Sequence, residues 1–160
     1  GGAAGMMAAI AASERGHHVV LLEKNEKLGK KLFITGKGRC NVTNDADLET
    51  VLKNIPQNGR FLYSALSRFG PADTMAFFEG LGVPLKVERG RRVFPVSDRA
   101  FDISAALERR LKTLRVRIVR DRAVSVETEP PPRPPSLAGG GNENATFPLF
   151  FSPSPSCPPF

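Results

Sequence analysis

The chain has 160 residues, with 23 Lys and Arg against 16 Asp and Glu, two His, two Cys and no Trp. That length suits one domain, and 41% apolar residues suffice for a core. No apolar run reaches the ~18 residues that span a bilayer. The apolar start is broken by Ser13, Glu14 and Arg15, which makes a poor signal peptide, and Cys40 and Cys157 are too far apart for a disulfide framework or a metal site. The expected setting is therefore cytoplasmic, with no membrane and no metal.

Residues 3–15, AAGMMAAIAASER, read as a helix ended by Gly16. His18–Glu23, HVVLLE, is a short apolar run closed by an acid, as a buried parallel strand reads. Residues 24–44 form a loop rich in Lys, Gly, Asn and Thr. Asp45–Asn54 reads as a short helix capped by Asp45. Arg60–Phe69 and Ala72–Leu81 read as amphipathic helices divided by Gly70 and Pro71, with Phe61, Phe69, Phe77 and Phe78 as packing residues. Val83–Glu88 and Arg92–Val96 pair as strands around Arg89-Gly90-Arg91. Asp98–Leu114 is a helix capped by Ser97 or Asp98, and Val116–Arg120 and Ala123–Thr128 alternate as strands. Residues 45–100 would form a helical and hairpin excursion between nucleotide-binding strands.

The composition changes at Pro130. Ten of the 14 prolines fall in residues 130–160, which carry only two charged side chains, Arg133 and Glu143. The preceding 129 residues hold the whole net charge of +7. The domain is thus expected over 1–129. Residues 130–160 are a Pro/Ser/Gly-rich stretch too poor in periodic apolar positions to offset ordering entropy. A Pro-rich interaction tail and a non-native end are both open readings of it.

The order of glycines, helix, strand and acid carries chemistry. In a dinucleotide-binding unit, glycines at the start of the first helix let backbone approach the pyrophosphate, and an acid ~20 residues on, at the end of the second strand, binds ribose hydroxyls. Gly2 and Gly5 have the spacing of the second and third such glycines, with Gly1 in the variable place between, and Glu23 follows Gly5 by 18 residues. An acid at that position favours a free ribose, hence FAD or NAD over NADP. In the following segment, KNEKLGKKLFITGKGRCNVTN, six basic groups face one acid, Glu26. Thr35, Gly36, Gly38 and Arg39 suit a loop wrapped on a phosphate-bearing ligand. A nucleic-acid patch is the rival reading, but Phe33 is the one aromatic there and offers no stacking platform.

The segments GGAAGMMAAIAA, VVLLEKNEKLGKKLFITGKGRCNVTN and RGRRVFPVSDRAFDISAAL resemble the aminoacetone oxidase family of FAD-binding bacterial flavoproteins over residues 1–129. The resemblance implies an α/β, partial Rossmann-like FAD/NAD(P)-binding domain lacking its first strand. It implies FAD held by Gly2, Ala4, Gly5, Glu23 and Lys24. Thr35, Gly36, Arg39, Cys40 and Asn41 would form the loop near the cofactor, and Val124 would present its backbone to the adenine. NAD(P)H is a candidate electron donor to a small-molecule substrate. The family's alanine–threonine–glycine–glycine turn, inserted barrel-like domain and C-terminal flavin segment do not follow, so the flavin pocket is expected to be incomplete and the piece inactive alone. The residues name no catalytic acid or base. Cys40 reads as a structural thiol, His17 and His18 as a surface turn, and Arg89, Arg91 and Arg92 as a solvated hairpin tip. A basic, non-enzymatic nucleic-acid-binding module and an inactive truncated gene product are the competing functions.

Overall fold

A computed structural model describes residues 1–128 and 149–151. Helix α1 (Ala3–Glu14) leads into strand β1 (Val20–Leu22), and the chain returns to the same sheet much later at β5 (Arg117–Val119). The two strands run parallel, Leu21 opposite Ile118. Backbone bonds from Arg117 N–H to Val19 O and from Glu23 N–H to Val119 O, both 3.0 Å, extend the ladder past the strand ends. A helix precedes each strand: α1 before β1, and α5 (Ala100–Thr113) before β5.

The end of α1 shows why Gly16 stands there. The N–H of Gly16 reaches Ser13 O and that of His17 reaches Ala12 O, while Gly16 itself sits at φ +85°. This is a Schellman closure, which needs a residue at ease in the left-handed region. His17 and His18 then lie exposed in the turn.

The excursion between β1 and β5 is a separate small sheet with its helices. Strands β2 (Thr43–Asn44), β3 (Leu85–Glu88) and β4 (Arg92–Pro95) assemble antiparallel in the order β2-β4-β3. The β3–β4 hairpin turns at Arg89–Arg91, with Gly90 and Arg91 at positive φ. Helices α2 (Leu48–Lys53), α3 (Tyr63–Arg68) and α4 (Pro71–Gly80) fill the chain between β2 and β3. Strand β6 (Val126–Thr128) pairs antiparallel with β7 (Leu149–Phe151). The rest of residues 130–160, where the proline-rich reading falls, lies outside the described residues.

One core joins these pieces. Met6 and Ile10 of α1 meet Ile103, Leu107 and Leu111 of α5, with Leu21, Leu28, Phe78 and Val83 closing around them. The spacing of 103, 107 and 111 is one face of a helix, so α5 buries that stripe and turns its charges outward. Arg110 uses one of those charges on Glu14 of α1, at 2.6 Å.

Four expectations need correcting. Asp47, not Asp45, caps α2, its carboxylate accepting from Thr50 N–H at 2.7 Å; Asp45 instead lies 3.6 Å from Arg91. Neither Ser97 nor Asp98 caps α5, which starts after Arg99 with no side-chain cap; Asp98 is drawn away by Lys86 and Arg39. Residues 60–69 are not one helix, because a 3-10 turn over Gly59–Leu62 precedes α3. The 3-10 turn leaves Phe61 86% exposed, so it does not pack, whereas Phe78 is buried and stacks edge-on with Phe77.

Leu107→Ala should lower unfolding free energy by about 2–5 kcal/mol, since it empties a site closed on all sides. Phe61→Ala should stay within about 0.5 kcal/mol of the parent. Denaturant melts of the two variants check the contrast.

Candidate functional site

The carboxyl ends of parallel strands leave a crevice where their connections diverge, the usual ligand position in open α/β sheets. Here the crevice is a groove of about 610 Å³ at the ends of β1 and β5. Its walls come from Gly1 and Gly2 before α1, from Leu22 at the end of β1 and Glu23–Asn25 after it, from Lys30 and Lys31, and from Asp121–Ala123 after β5. Four cationic side chains, Lys24, Lys30, Lys31 and Arg122, line it.

Glu23 sits in the groove and is only 8% exposed. Its Oε1 accepts the backbone N–H of Asn25 at 2.7 Å and the Asn25 side-chain amide. The Asn25 backbone N–H is the main reason its pKa falls below the usual carboxylate value, against the opposing effect of burial. The buried group is therefore an anion at neutral pH. Its Oε2 lies 3.3 Å from the amino group of Gly1.

The glycines before α1 meet different surroundings. A Cβ at Gly1 would lie 2.4 Å from Glu23 Oε2 and 2.6 Å from Leu28 Cδ2. Gly1 is thus the position that tolerates no side chain, although its sequence spacing marked it as variable. Its carbonyl also accepts Gly29 N–H at 2.8 Å, which ties the lysine-rich loop to the start of α1. At Gly2 a Cβ would meet nothing within 4 Å. Protein packing does not ask for glycine there, and the groove leaves bare backbone facing open space, as close approach by a phosphate requires. At Gly5 a Cβ would make an ordinary 3.7 Å contact with Leu21. The residues present therefore fit a dinucleotide.

The structure brings Gly2, Glu23 and Lys24 to this groove. Ala4 and Gly5 lie in the first turns of α1 rather than in its wall. Val124 precedes β6 instead of lying within a strand and is 63% exposed; its neighbour Ala123 lines the groove. Gly1, Asn25, Lys30, Lys31 and Arg122 line it without having been singled out as cofactor residues. The Gly1 clash and the approach of residues 121–123 depend on tertiary packing. Lys30 and Lys31 were visible as part of the basic loop.

Thr35, Gly36, Arg39, Cys40 and Asn41 form a second constellation, clamped on the β3–β4 hairpin. Gly36, Lys37, Gly38 and Cys40 all have positive φ, so the backbone coils tightly. A Cβ at Gly36 would lie 2.9 Å from Phe94 Cε1 and 3.0 Å from Asn41 N. Arg39 lies over the Phe94 ring at 4.1 Å and donates to Glu88 at 2.9 Å and Asp98 at 3.2 Å. Lys86 completes the network, 2.7 Å from Asp98. With its amide oriented to suit its neighbours, Asn41 donates to Thr43 O and Val93 O at 3.0 and 3.2 Å. Cys40 N–H binds Thr35 O at 3.1 Å, and the Thr35 hydroxyl donates to Leu32 O. The Cys40 side chain is buried, and burial pushes its thiol pKa up, which keeps it protonated and unreactive.

Two measurements test this architecture. Gly36→Ala should destabilise by more than ~1 kcal/mol, because it adds a clash to a positive φ, while Gly5→Ala should fold as well as the parent. The hairpin network sets a pH dependence. Arg39 lowers the pKa of Glu88, and Lys86 lowers that of Asp98. Folded pKa values below the unfolded ones give stability that is present above the ordinary carboxylate range and is lost as pH falls through the lowered values. The melting temperature should therefore drop between about pH 5 and about pH 3, and less steeply in Glu88→Gln/Asp98→Asn.

Comparison with known proteins accords with this layout. Residues 1–130 match the HI0933-like protein Rossmann domain. The chain is 40% identical over 121 residues to the 3-dehydro-bile acid delta(4,6)-reductase of Clostridium scindens, which covers 74% of this chain and 29% of that protein. It is 41% identical over 68 residues to the ribosomal RNA dihydrouridine synthase of Escherichia coli, covering 42% of this chain and 16% of the relative. The corresponding enzyme of Haemophilus influenzae is 34% identical over 83 residues, 51% of this chain and 20% of its own length. The chain thus spans less than a third of each of these relatives. The parallel β1–β5 pair, the glycine start of α1 and the match over residues 1–130 place the chain in the HI0933-like family of Rossmann-domain proteins, the FAD-binding flavoproteins that its GKGRCNVTN and GRRVFPVSDRA segments resemble.

Proposed function

We propose that this chain is the FAD-holding part of a flavin-dependent oxidoreductase. The observation that carries the reading is a buried carboxylate and bare glycine backbone facing one groove at the carboxyl ends of two parallel strands. Glu23 would take the adenosine ribose, and its negative charge disfavours a 2′-phosphate. The start of α1 at Gly2 and Ala4 would meet the pyrophosphate with unpaired N–H groups and the positive end of the helix dipole. Lys24, Lys30, Lys31 and Arg122 supply countercharge for that dianion. Gly5 would stand behind the pyrophosphate in the first turns of α1, and the backbone near Val124 would run toward the adenine end. The coiled loop of Thr35, Gly36, Arg39, Cys40 and Asn41 would continue along the cofactor toward the flavin.

Bound flavin supplies hydride and electron transfer; the protein positions and shields it. The relatives' names share a theme, since one is a reductase and the others make a dihydro base. Reduction of a carbon–carbon double bond in a small molecule or a nucleobase, with NAD(P)H as electron donor, is the activity this chain would serve. A non-enzymatic nucleic-acid module is less well supported, because four of the basic side chains line a groove that also holds a buried acid.

Purified full-length protein should be yellow and release FAD on denaturation, identified by absorbance and chromatography. Colourless protein that also takes up no added FAD would sink the reading. Glu23→Gln should weaken FAD binding at least ~10-fold, as loss of a charged acceptor does.

A further inference from the structure

The groove's carboxylate does not stand alone. Glu23 Oε1 is already filled by two donors, the Asn25 N–H at 2.7 Å and the Asn25 amide. Asn25 is itself held from the other strand, its carbonyl accepting from Arg120 Nη1 at 2.7 Å. Arg120 follows β5 directly and Glu23 follows β1 directly, so the chain Arg120–Asn25–Glu23 bridges the ends of the two parallel strands. Residues 95 positions apart in sequence thereby set the angle of one side chain.

We infer that Asn25 and Arg120 are positioning residues that lock Glu23 with Oε2 left for the ribose hydroxyl of the adenosine half of the cofactor. The inference rests on the FAD reading above and deepens it. A carboxylate accepts about four hydrogen bonds. Two are used on Oε1 by the turn, and Oε2 meets the amino group of Gly1 at 3.3 Å, which leaves Oε2 with acceptor capacity for a ligand hydroxyl. Without the amide, Glu23 would rotate, and a buried carboxylate would lose a bond that stabilises its charge. Without Arg120, the 23–25 turn would lose its tie to β5, while the β1–β5 ladder itself would persist through backbone bonds. The arrangement also restricts the effect to one half of the cofactor. FMN has no adenosine ribose and never meets Glu23.

The test titrates full-length protein with FAD, ADP-ribose and FMN. In Asn25→Ala and Arg120→Ala, the dissociation constants for FAD and ADP-ribose should rise about tenfold, the scale of one charge-assisted hydrogen bond. That for FMN should not move. Arg120→Lys, which keeps a donor for the Asn25 carbonyl, should recover most of the loss. Partial reversible unfolding would raise every apparent dissociation constant by the same factor, the inverse of the folded fraction, so a loss confined to FAD and ADP-ribose still reports on Glu23. Unchanged FAD and ADP-ribose affinity in both alanine variants overturns the positioning role. Equal loss of FMN affinity also overturns it, because the effect would then be general. Wild-type protein that binds neither FAD nor ADP-ribose overturns the proposed function itself, and this inference with it.

Discussion

Parallel pairing of β1 with β5 is the constraint on which the candidate site depends. The register sets Leu22 against Val119, so the two chains leave the sheet side by side. Glu23–Asn25 then faces Arg120–Arg122 across a gap that neither segment could form alone. Helices α1 and α5 hold the pairing from behind through Met6, Ile10, Ile103, Leu107 and Leu111. The small antiparallel sheet and its helices are a long detour between two neighbouring strands. Without that apolar contact between α1 and α5, little would bring residues 23 and 120 together, since loop closure over so many residues costs entropy that local bonds do not repay.

The charge of the chain is spent in two ways. Lys24, Lys30, Lys31 and Arg122 line the groove, where the proposed pyrophosphate would meet them. On the hairpin, Arg39 and Lys86 are matched to Glu88 and Asp98. The second arrangement explains how the GKGRCN loop keeps one coiled path while being so rich in glycine. Arg39 packs its guanidinium on Phe94 and ties down its ends with carboxylates, so the left-handed backbone around it is held by its neighbours. Basic residues that look equivalent in the sequence thus divide into those lining the groove and those that fix a loop.

Much of the architecture was legible in the chain because its signals are local. The apolar run before Glu23, Gly16 after α1 and the turn at Arg89–Arg91 each state a backbone preference within a few residues. Errors arose where two local signals competed. Asp45 and Asp47 are both fit to cap a helix, and only the chain path decided for Asp47. Asp98 looked like a cap until Lys86 and Arg39, from elsewhere in the fold, claimed its carboxylate. Phe61 had the spacing of a packing residue, but the 3-10 turn at Gly59–Leu62 rotated it into solvent.

For the site the division is sharper. By themselves the residues determined that a glycine-started helix, a strand and an acid follow one another, because backbone freedom and charge are properties of residue type. They also marked the basic loop and the GKGRCN segment. Only the tertiary structure decided that Gly1 is the position without room for a side chain, and that Asn25 and Arg120 brace Glu23. It alone decided that Arg39 is engaged by the hairpin. Each of these rests on a contact between segments far apart in the chain, and local preference carries no information about what arrives from a distance.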